Sequence, residues 1–124
     1  MIDHLAIQCK DLPHSAEFYD AVLATLGGSR VMDFGDVMGY GIDFPTFWLG
    51  KLTSGLAQRE VHIAFQAPSR VAVQAFRDEA VKQGAVVLHE PRVWPEYHPG
   101  YFGAFVRDPD GNNIEAVHHT FDQP

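Results

Sequence analysis

The stretches DHLAIQ (residues 3–8) and VHIAFQ (residues 61–66) lie about half a chain apart and carry His, Ala and Gln in matching places. His4, Ala6 and Gln8 of the first correspond to His62, Ala64 and Gln66 of the second. A chain of 124 residues that repeats itself at its midpoint is constrained more by that repeat than by any local propensity. Each half must build the same supersecondary unit, and one such unit cannot cover its own apolar face, so the two must pair.

The register of the repeat extends beyond the strands. Asp11-Leu12-Pro13 opens a helical segment running to about Leu26, with Phe18, Val22 and Leu26 on one face and Gly27-Gly28 closing it. Pro68-Ser69 opens the second, with Ser69 as N-cap, Ala72, Phe76 and Ala80 on one face, and Gly84 at its end. Phe18 follows His4 at the interval at which Phe76 follows His62. Short strands are expected after each helix: 29–34, 39–44 and 46–49 in the first half, 85–88, 101–107 and 113–118 in the second. A Pro- and aromatic-rich loop is expected over 90–100, and DPDGN at 108–112 reads as a tight turn. The expected fold is α+β: two tandem βαβββ modules, about 1–52 and 58–120, forming a cupped mixed sheet with helices on the outer face.

Strand alternation then assigns sides. Leu5, Ile7, Val61, Ile63 and Phe65 face the helices, leaving His4 and His62 on the concave face. If Ile114 packs under the second helix, Glu115 joins the two histidines. Two imidazoles and a carboxylate make a divalent-metal site with open positions, of the kind used by Fe(II) oxygenases or, with added ligands, by Zn, Ni, Co or Mn. The plainer alternative is that both histidines are polar residues satisfied by neighbours, with Glu115 at the surface.

The net charge of −7 argues against a nucleic-acid or anionic-membrane surface, and no apolar run approaches the roughly 18 residues that span a bilayer. The first residues enter a strand pattern directly, with no basic-then-apolar leader. Cys9 is the single cysteine, lacks any nucleophile signature, and fits a reducing cytoplasm.

With His4 opening the first strand, His62 opening the second unit, and DPDGNNIEAV carrying Glu115 near the C-terminus, the whole chain resembles the vicinal oxygen chelate superfamily of glyoxalase I, bleomycin-resistance proteins and extradiol dioxygenases. The resemblance implies that His4, His62 and Glu115 are metal ligands for one divalent ion (Zn, Ni, Co, Mn or Fe), that the partner is a small oxygenated substrate, and that the protein is a homodimer. It also implies a departure. Glyoxalase I draws a fourth ligand from the last strand of its first module, where Trp48 stands in this chain, so lactoylglutathione lyase activity itself is not expected. The loop holding Tyr97 and His98, leading into Tyr101, suits a pocket rim. His98 and Glu115 are the candidate proton carriers, and Trp48, Tyr97 and Tyr101 the candidate pocket residues. His14, His89, His118 and His119 read as surface or tail residues. The competing reading is a metal-free binding or sequestering protein of the bleomycin-resistance type.

Overall fold

A computed structural model describes residues 1–121. Two modules of identical plan follow one another. The first comprises β1 (Leu5–Cys9), α1 (Leu12–Ala24), β2 (Ser29–Asp33), β3 (Val37–Gly41) and β4 (Pro45–Lys51). The second comprises β5 (His62–Gln66), α2 (Arg70–Lys82), β6 (Val87–Val93), β7 (Tyr101–Arg107) and β8 (Asn113–His119). The sheets have the orders β1-β4-β3-β2 and β5-β8-β7-β6. In each, the first strand runs parallel to the last and the other pairs are antiparallel.

The helices begin and end as the repeat requires. Asp11 caps α1 by accepting from the His14 amide, with Pro13 in the first turn, and Ser69 caps α2 by accepting from the Ala72 amide. At the other ends Gly27 (φ +88°) and Gly84 (φ +82°) adopt the left-handed conformation. The following amides of Gly28 and Ala85 reach back to the carbonyls of Leu23 and Ala80, each at 2.9 Å.

Three strands differ from expectation. The region 90–100 is not all loop: β6 runs through to Val93, with register shifts around His89 and Arg92. Pro91 is compatible with a strand here because β6 is the edge of its sheet, where a missing amide proton breaks no ladder. In the first module β3 ends at Gly41, and Ile42–Phe44 form an exposed turn rather than strand. A Cβ at Gly41 would fall 1.9 Å from the Phe44 carbonyl oxygen, so this reversal depends on glycine. The last strand extends through His118 and His119, which are therefore not a tail.

One apolar core joins the modules. Helix α1 packs on β2 and β4, α2 on β6, β7 and β8, and the two helices pack on each other. Tyr19, Val22, Phe47 and Leu49 of the first module belong to the same buried cluster as Val73, Phe76, Val106 and Ile114 of the second. A polar tie crosses inside it. The Tyr19 hydroxyl donates to Asp108 Oδ2 at 2.6 Å, and the other carboxylate oxygen accepts the Asp110 and Asn112 amides, so the DPDGN turn is anchored to α1. With the helix-bearing faces joined in this way, the opposite faces of both sheets stay open: His4, Ala6, Gln8, His62, Ala64 and Gln66 are all exposed.

Replacing Tyr19 with Phe removes one donor to a buried carboxylate while Asn112 Nδ2 still serves Asp108 Oδ2 at 3.0 Å. The expected loss is about 1.5–3 kcal/mol, read as a lower urea midpoint at unchanged slope.

Candidate metal centre on the open face of the second sheet

The ladder registers determine which side chains share the open face. Ala64 pairs with Glu115 and His62 with Asn113, while across β7 Glu115 faces Phe105 and His119 faces Tyr101. His62, Glu115, Phe105, Tyr101 and His119 therefore lie on one side of the sheet. The His62 ring stacks on Phe105 (5.8 Å, 21°), which fixes its plane. Its Nδ1 lies 3.1 Å from the Asn113 carbonyl, an acceptor only, so Nδ1 carries a proton. In the neutral imidazole Nε2 then presents a lone pair, and it points at Glu115 Oε1, 3.0 Å away. Two lone pairs facing one another need a cation between them, either a proton or a metal ion. A histidine donating its second nitrogen to a backbone carbonyl is also the usual support of a metal-ligating imidazole. The donor set fits a divalent ion of the Zn-to-Mn group.

Glu115 is unusual for a carboxylate in being only 1% exposed. Burial raises its pKa above the ordinary range, opposed by the Tyr101 hydroxyl, which donates to Oε2, and by His62. Tyr101 in turn is raised by burial and by the neighbouring Glu115 charge. Next to His62 in the ladder, Asn113 Oδ1 is buried without a hydrogen-bond partner among the described residues.

His4 does not join them. It precedes β1, is exposed, and pairs with Asp3 (Nδ1 to Oδ1, 2.6 Å). Among the described residues no group of three or more His, Cys, Asp or Glu side chains could hold a metal ion. One chain thus brings His62 and Glu115 together and holds His4 elsewhere, on the open face of the other sheet. Trp48 is on that face too: it pairs with Ala6 as Glu115 pairs with Ala64, so the register puts Trp48 at the position in the first module that Glu115 holds in the second. Its ring stacks on the exposed Phe34 (6.2 Å, 8°).

The rim loop is organised around Trp94, which sequence reading passed over. Buried, it donates from Nε1 to the Gly103 carbonyl, carries the Arg92 guanidinium 3.4 Å over its ring, and stacks on Tyr97. His98 accepts the Gly100 amide at Nδ1 and places Nε2 at 2.9 Å from His119 Nδ1, so both its nitrogens are engaged. Its ring meets the edge of Tyr101. His89 is exposed, yet it packs edge-on against Trp94 and Phe105 and so borders the same face. Phe105 and His119 could have been assigned from strand alternation, once β7 and β8 were aligned across the DPDGN turn. The roles of Trp94 and His89 depend on the bulged course of β6, which no sequence pattern marks.

Two βαβββ modules of the same strand order, packed through their helices, define a class of small α+β proteins. The sequence model of the Glyoxalase/Bleomycin resistance protein/Dioxygenase superfamily matches residues 1–116. The chain belongs to that superfamily. Among solved structures it is similar to a glyoxalase/bleomycin resistance protein from Albidiferax ferrireducens T118 (28% identity, TM-score 0.83, covering 94% of this chain and 97% of that one). It also shares its fold with a glyoxalase/bleomycin resistance protein/dioxygenase family enzyme from Burkholderia phytofirmans PsJN (16%, TM-score 0.75, 96% and 98%) and with a lactoylglutathione lyase from Agrobacterium tumefaciens (21%, TM-score 0.69, 95% and 92%). No curated protein matches the chain.

Cys9 lies on the opposite, helix-covered side of β1, with no exposed surface, and burial pushes its thiol up to about 11. It should be silent toward a thiol-specific reagent at pH 8 until denaturant is added. The shift also has a thermodynamic sign. A folded-state pKa above the unfolded value stabilises the fold fully below the ordinary 9.0 and ceases to do so as pH rises through about 11. A Cys9→Ala variant should therefore lose less stability than the parent over that alkaline window, measured by urea unfolding at each pH.

Proposed function

We propose that this protein is a divalent-metal-dependent enzyme acting on a small oxygenated substrate, with His62 and Glu115 of one chain and His4 of a second copy holding the ion. The observation that carries the reading is the His62 Nε2–Glu115 Oε1 pair at 3.0 Å, with the other ring nitrogen held by the Asn113 carbonyl. The chemistry such an ion supplies is Lewis acidity toward two neighbouring substrate oxygens, favouring negative charge that develops beside a carbonyl. The chain's residues do the rest. Phe105 closes the back of His62. Trp48 and Tyr97 give flat walls. The two side chains proposed to carry the proton are Glu115 and His98. In the single chain each is already engaged, Glu115 by His62 and Tyr101 and His98 by Gly100 and His119, so either must give up a partner before it can serve.

The proposed homodimer is supported by the exposed edges of the two sheets. Each chain presents two uncovered four-stranded sheets with β1 and β5 at their edges, and bringing β1 of one copy to β5 of another covers both. A reducing cytoplasm suits the buried, unpaired Cys9 thiol. The second reading, a metal-free sequestering protein, is favoured by one feature, the Trp48–Phe34 stack at the place of a possible ligand. Elemental analysis of the purified protein separates the two.

The shared site has a direct test. His4→Ala and His62→Ala homodimers should each lose tight metal binding. When the two are unfolded together and refolded, mixed dimers of roughly twice the 13.8 kDa chain mass should regain one intact site each. If mixing restores no bound metal, the site is not shared between copies.

Activity on the glutathione hemithioacetal of methylglyoxal should be weak or absent, because Trp48 stands where a carboxylate would take the substrate proton. Losing a positioned base typically costs about 10²–10⁴-fold. Turnover by the metal-loaded protein near the ordinary enzyme rate of about 10 s⁻¹ would contradict this. His98→Ala, assayed on whichever substrate is turned over, should slow the reaction; unchanged turnover would remove His98 from the mechanism.

A further inference from the structure

We infer that Tyr101 is a positioning residue that holds Glu115 to one-oxygen ligation, and that Gly103 is the space this arrangement requires. The inference rests on the metal-site reading above and adds how the site limits its own coordination. A free carboxylate facing a cation can offer both oxygens. Here they are divided: Oε1 faces His62 Nε2 at 3.0 Å, and Oε2 accepts the Tyr101 hydroxyl. An oxygen that accepts a phenol hydrogen bond has one lone pair fewer to offer, so an ion bound here would be met by Oε1.

Three features show that the division is built in rather than incidental. The Tyr101 ring is boxed by Tyr97 (4.9 Å, 63°), His98 (5.7 Å, 77°) and His119 (5.1 Å, 86°), so its hydroxyl has one direction to point. Glu115 is buried and cannot swing out to solvent. Gly103 sits between them: a Cβ there would come within 2.9 Å of Glu115 Oε2 and 3.2 Å of Tyr101 Cε1. A Cβ at 103 would require Glu115 Oε2 or the Tyr101 ring to shift, and the Gly103 carbonyl accepts from Trp94 Nε1 at 3.0 Å, which ties this stretch of β7 to the rim. The paired histidines of the rim thus act on the metal position indirectly, by fixing the ring that fixes the carboxylate. A ligand set kept to two nitrogens and one oxygen leaves room for a substrate to bring two oxygens of its own.

The test uses the full-length protein loaded with cobalt(II), whose visible absorption weakens as coordination number rises. Tyr101→Phe frees Oε2, and Gly103→Ala displaces the hydroxyl without deleting it. Both should show weaker visible bands than the parent, with cobalt affinity lowered roughly 10- to 100-fold, the usual effect of losing an outer-shell partner. A merely structural role for Tyr101 would lower affinity and leave the spectrum unchanged; that outcome overturns the inference, as does a parental spectrum and affinity in the variants. If Tyr101→Phe does not fold, Gly103→Ala decides alone by the same bands, and if neither folds the spectrum of Tyr97→Ala, which loosens the box around Tyr101, decides. A parent protein that binds no cobalt overturns the metal reading and this inference together; a parent that binds it, with variants unchanged, overturns this inference only.

Discussion

The joining of the two modules through their helix-covered faces governs everything else in the molecule. Because α1 and α2 pack against each other and Tyr19 reaches across to Asp108, the apolar sides of both sheets are consumed within one chain. The sides that carry chemistry face outward and away from each other. The same contact that stabilises the monomer fold therefore keeps His4 from His62. A duplicated unit that solved its burial problem this way keeps its two outward faces separate, one beside His4 and Trp48, the other bearing His62 and Glu115.

Much of this was legible in the sequence because it depends on short-range rules. Matching His-x-Ala-x-Gln strands, Pro13 in the first turn of one helix, Ser69 as cap of the other, and glycines after each helix specify the βαβββ plan locally. Alternation placed His62 and Glu115 on one face, where they lie. What was not legible depends on non-local geometry. The bulges in β6 carry His89 and Trp94 to the rim. His98 reads as a free imidazole at a loop tip, but both its nitrogens are taken by Gly100 and His119, from segments whose proximity only the folded hairpin sets. Tyr101 read as a wall residue, and its hydroxyl bond to Glu115 depends on a glycine two residues away that looks unremarkable in a strand.

The two modules also show how a repeat diverges without losing its packing. In the second, Glu115 on β8 faces Phe105 on β7: a modest side chain opposite a large one. In the first, the corresponding pair is Trp48 on β4 facing Gly39 on β3. The large ring has changed strands. A Cβ at Gly39 would come within 2.9 Å of the Trp48 ring and 2.7 Å of Pro45 Cβ, so the tryptophan fits only because its partner is glycine. Similar bulk fills both faces, which is the kind of exchange packed surfaces tolerate best. The chemical content is opposite. One face presents a buried carboxylate backed by an aromatic ring, the other an aromatic ring stacked on Phe34. If two copies close against each other as proposed, each cup combines one face of each kind, a polar wall that holds charge and a flat apolar wall that does not. Restoring a carboxylate at 48 alone would then leave a void over Gly39, so a fourth ligand cannot be regained by one substitution without refilling position 39 as well.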